Sequence, residues 1–280
     1  MKRAFSGALE RNSAAISFIV LVSLVLIAIG TAYFALAINR AQFENMPAVK
    51  EYDNRVEDIT RQDGWTRTKF YWSTNLGVAS LYAVTAPAYL GLNSVLANSY
   101  TIGMALVFNS YRYGADVALA FAGQIFIHGI LELTGIFIIA GASLRLAWKI
   151  WAVLGRMVNG KLGKITRRRR KAIYRYAVDY LLVFALGAFL IFLAAPIEAY
   201  VSPIMGFLFL GSPMLGIFFL AAVVFFYASM VRRGFAAMRR AIASALASLR
   251  MLSAGKWRPE QLSILMLALF SILMWLGLIF

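Results

Sequence analysis

One histidine occurs in the 280 residues, and it stands in the apolar stretch FAGQIFIHGILELTGIFIIAGASLRLAW, residues 121–148, with a glutamate four positions on. On a helix His128 and Glu132 share one face, one turn apart. A second isolated acid, Glu198, sits in APIEAY near the end of another apolar run. Ionisable side chains at membrane depth are costly and face a bundle interior or a wet cavity, which makes these three the expected polar centre. One imidazole and two carboxylates could hold a divalent metal ion and leave a coordination position open, as at a water-activating zinc. The same groups in an apolar shell could form a proton relay or line a solute cavity, or could simply fasten two helices. Spacing leaves these readings open, because the pattern is not H-E-x-x-H and there is no second histidine to complete one.

The rest of the chain is the scaffold for those residues. It is 61% hydrophobic and 14% charged, with several apolar runs long enough to cross a bilayer, so it reads as an all-α polytopic membrane protein and not as a soluble globule. The absence of cysteine excludes disulfides, thiolate metal sites and cysteine nucleophiles. There is no G-x-S-x-G, P-loop or dinucleotide fingerprint, and no catalytic residue is assigned. The net charge of +16 arises from basic residues beside apolar runs, which points to topology before nucleic acid.

About seven transmembrane helices are expected in a single domain, residues 1–280, some short or broken, with interfacial amphipathic helices. The first span covers residues 14–38; its length argues against a cleaved signal peptide. Residues 39–69 form a polar excursion with six basic and six acidic residues. There Phe43, Met46, Val49, Tyr52, Val56 and Ile59 recur at helical spacing, which predicts an amphipathic helix on the membrane or capping the bundle, beginning or bending at Pro47. Residues 71–110 fit two spans with a turn near 92–97. Residues 115–151 are too long for one perpendicular span, which predicts that residues 113–127 form a separate half-helix, a re-entrant segment or an outer-surface helix before a junction beside His128–Gly129. Residues 140–143, AGAS, permit close helix packing.

Residues 156–175 form a basic loop, and the next span covers residues 176–199. Residues 203–231 form a bent or interrupted span, marked by Gly206, Gly211, Pro213 and Gly216. Residues 232–258 form a basic amphipathic helix, and a last span covers residues 260–280. With the amino terminus inside, three basic residues precede the first span, eleven lie from 145 to 175 and seven from 232 to 258, so 21 of 28 are inside. The expected site is the plasma membrane, with a cytoplasmic amino terminus and an external carboxyl terminus. His128, Glu132 and Glu198 then share a level near the outer face. Anionic headgroups are the expected partners of the run from Arg167 to Lys171 and of the residues from Arg232 to Arg240; nucleic acid is not expected. Small residues on several spans point to a homodimer, and protein partners are also compatible with the basic surface.

HGILEL at 128–133, AGASLRL at 140–146 and PIEAYVSP at 196–203 together resemble the stage II sporulation protein M family of integral membrane proteins. In that family the pattern runs roughly H-G-x-x-E-L, A-G-A-x-G-L-R-L and I-E-A-x-x-[ST]-P, and the similar stretch here covers about residues 75–231. Ser143 stands where the family has glycine. The resemblance implies that His128, Glu132, Arg145 and Glu198 are the signature polar residues. Asn98, Thr134 and Tyr200, with Arg145, are expected to support the cluster. The resemblance further implies a plasma-membrane protein that, in spore formers, works with peptidoglycan-degrading partners during engulfment; the family also occurs where no spores form. A transported or sensed solute, proton or ion is the leading expectation for the cluster, ahead of a partner-positioning scaffold and a metal-dependent hydrolase.

Overall fold

Caps and prolines set the boundaries of the helices that carry the site. A computed structural model describes residues 2–86, 89–158 and 167–253. In chain order the elements are α1 (Lys2–Leu36), α2 (Arg40–Glu44), α3 (Pro47–Thr60), α4 (Gly64–Val84), α5 (Leu90–Tyr113), α6 (Ala115–Val158), α7 (Arg167–Pro196), a π-helical turn (Ile197–Val201), α8 (Ser202–Gly211) and α9 (Pro213–Ser253). The Asn39 side chain accepts from the Gln42 amide to open α2. Pro47 occupies the first turn of α3, where its missing N–H costs nothing. The Asp63 carboxylate opens α4 by accepting from the amides of Trp65 at 2.9 Å and Thr66 at 3.0 Å. The Thr66 hydroxyl and these amides hold the Asp63 carboxyl below its usual range.

Among the described residues four helical stretches are long and apolar enough to cross a membrane: Ala4–Leu36, Ile127–Met157, Tyr174–Gly211 and Met214–Arg240. The 21 residues of α4 and 24 of α5 have the length but a more polar composition. The expected last span, residues 260–280, lies outside the described residues. The chain turns between Val84 and Leu90, ahead of the expected 92–97, because the residue before Pro87 is disfavoured in a helix. No break occurs at His128–Gly129: α6 runs unbroken for 44 residues. An isolated glycine costs only about 1 kcal/mol in a helix, and packing along α7, α1 and α5 outweighs it. The expected end of a span near Glu198 is also absent. Helix continues through the π turn into α8, and the interruption falls at Ser212, just before Pro213 starts α9. Residues 232–253 extend α9 and are no separate amphipathic helix; 254–258 lie outside the described residues.

Glycines allow the helices to approach backbone to backbone. A Cβ on Gly135 of α6 would lie 2.6 Å from the Gly187 carbonyl oxygen of α7, and one on Gly141 would lie 2.6 Å from the Ile16 Cα of α1. Ser143, in place of the family glycine, donates across the gap to the Tyr82 carbonyl at 3.3 Å. Around these crossings Ile19, Val20, Ala79, Tyr82, Ile136, Ile139, Ile191 and Tyr227 form one core drawn from α1, α4, α6, α7 and α9. The stripe of α2 and α3 is covered by protein: Phe43 and Val49 pack with Phe34 and Phe108, and Asp53 pairs with Arg112. Each such aromatic contributes roughly 1.5–3 kcal/mol by burial, so the polar excursion is a cap on α1 and α5.

Candidate functional site

His128 sits near the end of the first third of α6 with Glu132 one turn further on, and the π turn of the opposing helix brings up Glu198. Each of the three offers one ligating atom, and these atoms all lie within 4.8 Å of one another. His128 is buried. Its Nε2 lies 3.7 Å from Glu198 Oε1, and its Nδ1 is 2.9 Å from the buried Ser202 hydroxyl. Glu198 Oε2 is buried and has no hydrogen-bond partner among the described residues. Neither glutamate is ion-paired to lysine or arginine there. Two carboxylates so close in an apolar bundle, beside one imidazole, require an added positive charge to be ionised together.

The local sequence explains why Glu198 and Ser202 turn inward together. Pro196 has no N–H for the carbonyl four residues earlier, so the Phe192 oxygen is left without its helical donor. Trp72 of α4 supplies one, donating from Nε1 to that oxygen at 2.8 Å while its ring stacks on Phe192 at 4.7 Å. The chain absorbs the proline by widening into the π turn, and the Ser202 amide bonds the Ile197 carbonyl. Such turns recur at functional sites because they re-aim side chains. Tyr71, one residue before Trp72, stands within electrostatic reach of Glu198, Glu132 and Arg67. The site therefore has a third wall from α4.

Thirteen residues separate Ala115 from His128 on α6, and thirteen separate Glu198 from Gly211. At 1.5 Å per residue the cluster lies about 20 Å inside that end of the bundle, since neither helix stops beside it.

The four supporting residues lie elsewhere. Thr134 bonds the Tyr227 hydroxyl at 2.9 Å, on α9. Tyr200 is half exposed, its ring pressed on Gly64, because two steps from Glu198 in the π turn is the other side of the helix. Asn98 is exposed on α5. Arg145 is thirteen residues past Glu132, about 20 Å along α6, and belongs to a second cluster. There Arg11 grips the buried Asp179 with two bonds of 2.7 and 2.6 Å. Arg145 lies 3.9 Å from the same carboxylate, 3.3 Å from Asn12 Oδ1 and 4.8 Å above the Tyr176 ring. Sequence reading passed over Ser202 and Asp179. The first was visible as the hydroxyl of the [ST]-P motif, four residues after Glu198; the second resembled an ordinary acid at a span end.

A chain whose described elements are all helical, with several membrane-length apolar helices and ionisable residues buried between them, is an integral membrane protein. The profile of the Stage II sporulation protein M family matches residues 16–203, and the chain belongs to that family. The match starts earlier than the resemblance read from the motifs and ends with Pro203, inside α8. It includes His128, Glu132, Glu198 and Ser202. No curated protein and no solved structure matches the chain.

Proposed function

We propose that this protein is a non-enzymatic, multi-pass plasma-membrane protein that binds a cation at His128, Glu132 and Glu198 in order to transport or sense it. The amino terminus is cytoplasmic and, with seven spans, the carboxyl terminus external. The supporting observation is the convergence of one imidazole and two carboxylates from two helices, with Glu198 Oε2 unpartnered and no lysine or arginine to balance them among the described residues. A divalent metal ion fits this donor set, since a mixed imidazole and carboxylate shell suits zinc, manganese or iron. Bonds of about 2.1 Å would set tetrahedral ligand atoms about 3.4 Å apart, so the donors need close by little more than an ångström from their present spread. Ser202 would fix the ring by bonding Nδ1, leaving Nε2 for the ion.

Flux of Zn2+ and Mn2+ into proteoliposomes carrying the full chain tests the transport arm, and metal-dependent protection from proteolysis tests the sensing arm. Wild-type protein should show at least one of them and Glu132→Gln neither. If Glu132→Gln lowers stability and leaves both readouts unchanged, the cluster is a helix fastener and the chain is better read as a scaffold for partner proteins.

A further inference from the structure

A second site lies between α1, α6 and α7 at the end of the bundle that carries the amino terminus. A cavity of about 670 Å³ there is lined by Arg11, Arg145, Lys171, Arg175 and Asp179, with apolar Val178 and Leu182 below them. Its one acid is already occupied: Arg11 holds Asp179 with two short bonds, and Arg145 stands against the same carboxylate. Four cations against one anion leave the cavity with a net charge of +3. Lys171 and Arg175 are exposed and carry no ion pair among the described residues. Arg145 is fixed over the Tyr176 ring, which orients it before any ligand arrives.

The order of residues along α7 favours an amphiphile over a free anion. Lys171, Arg175, Val178 and Leu182 follow one another at helical spacing on one face, so charge comes first and hydrocarbon after it. The helix continues into the apolar stretch Tyr174–Gly211, with Leu181 and Phe189 exposed along it. A phosphate among Arg145, Lys171 and Arg175 would therefore sit where an attached acyl chain can run down an apolar helix face. Basic cavities between helices at a membrane surface bind anionic headgroups on this principle. We infer that this cavity is a specific site for one anionic phospholipid, its phosphate held by Arg145, Lys171 and Arg175 and its acyl chain laid along α7. The site is built from three helices and is separate from the cation centre.

Native mass spectrometry of the full chain in detergent, titrated with dioctanoyl phosphatidylglycerol or dioctanoyl phosphatidylcholine, tests this. The anionic lipid should be retained and the zwitterionic one not. Lys171→Gln or Arg175→Gln alone should weaken retention about fivefold and the pair about 25-fold, the scale of one basic residue at an anionic surface. A charge-matched pair on α3, Lys50→Gln with Arg55→Gln, should change nothing. The inference is overturned if the two lipids bind alike, if the α7 variants bind as wild type, or if the α3 pair loses as much. It is equally overturned if inorganic phosphate competes as well as the lipid, which would mark a free-anion site. The single variants keep the test decisive should the double variant fail to fold.

Discussion

Two ionic clusters are built on α6, thirteen residues apart, and they are opposites. Around Asp179 two arginines surround one acid, and every charged group has a partner: Arg11 and Arg145 on the carboxylate, Asn12 on Arg145. Around His128 two acids face one imidazole, and a buried carboxylate oxygen lacks a partner among the described residues. The first arrangement clamps α1, α6 and α7 and keeps an excess of positive charge. The second lacks a positive charge. Burial of charge is common to both, and the sign of the excess charge is what separates them: positive beside Asp179, negative around His128.

The contrast breaks first at Asp179. Asp179→Asn leaves two arginines against a neutral amide and should lower unfolding stability in detergent by about 2–3 kcal/mol. That is below the cost of breaking a fully buried pair, because 36% of the Arg11 side chain is exposed. Chemical denaturation measures it. Gly135→Ala comes next: its methyl would meet the Gly187 carbonyl at 2.6 Å, and forcing α6 from α7 should cost roughly 1–3 kcal/mol in the same assay. Ser202→Ala removes the bond to His128 Nδ1 and sharpens the reading of the cluster. Metal affinity should fall about tenfold, with only about 1 kcal/mol of stability lost, as titration and melting would show. Trp72→Phe should cost about 1 kcal/mol, since the ring can still stack on Phe192 while the Phe192 carbonyl loses its donor.

The smallest expected effect is at the start of α4, outside both clusters. The bonds that lower the Asp63 carboxyl stabilise the start of α4 above its unfolded pKa, and that contribution disappears as pH falls through the lower folded value. Melting curves of wild type and Asp63→Ala should therefore differ at neutral pH and converge in acid.

How far the sequence carried this picture follows from which forces it encodes locally. A lone histidine and a lone acid inside apolar runs stand out against lipid composition, so His128, Glu132 and Glu198 were legible, and counting basic residues placed them at one level. The start of α3 was legible for the same reason, since Pro47 acts through its nearest neighbours. What stayed hidden depended on distant partners. Gly129 read as a break and residue 199 as a span end, yet α6 runs unbroken where it packs on α7, and the carbonyl that Pro196 leaves is satisfied by Trp72, 120 residues away in sequence. Asp179 was missed because its meaning lies in Arg11, at the other end of the chain.

The most direct measurement is the melting temperature of the purified full chain with and without Zn2+, wild type against the double variant Glu132→Gln with Glu198→Gln. Removing both charges removes the need for a cation while keeping the side-chain shapes. The wild type should be stabilised by the ion, by about 2.7 kcal/mol at a hundred times its dissociation constant, and the variant should be indifferent. An equal response of the two proteins to the ion would contradict a charge-deficient centre at His128, Glu132 and Glu198.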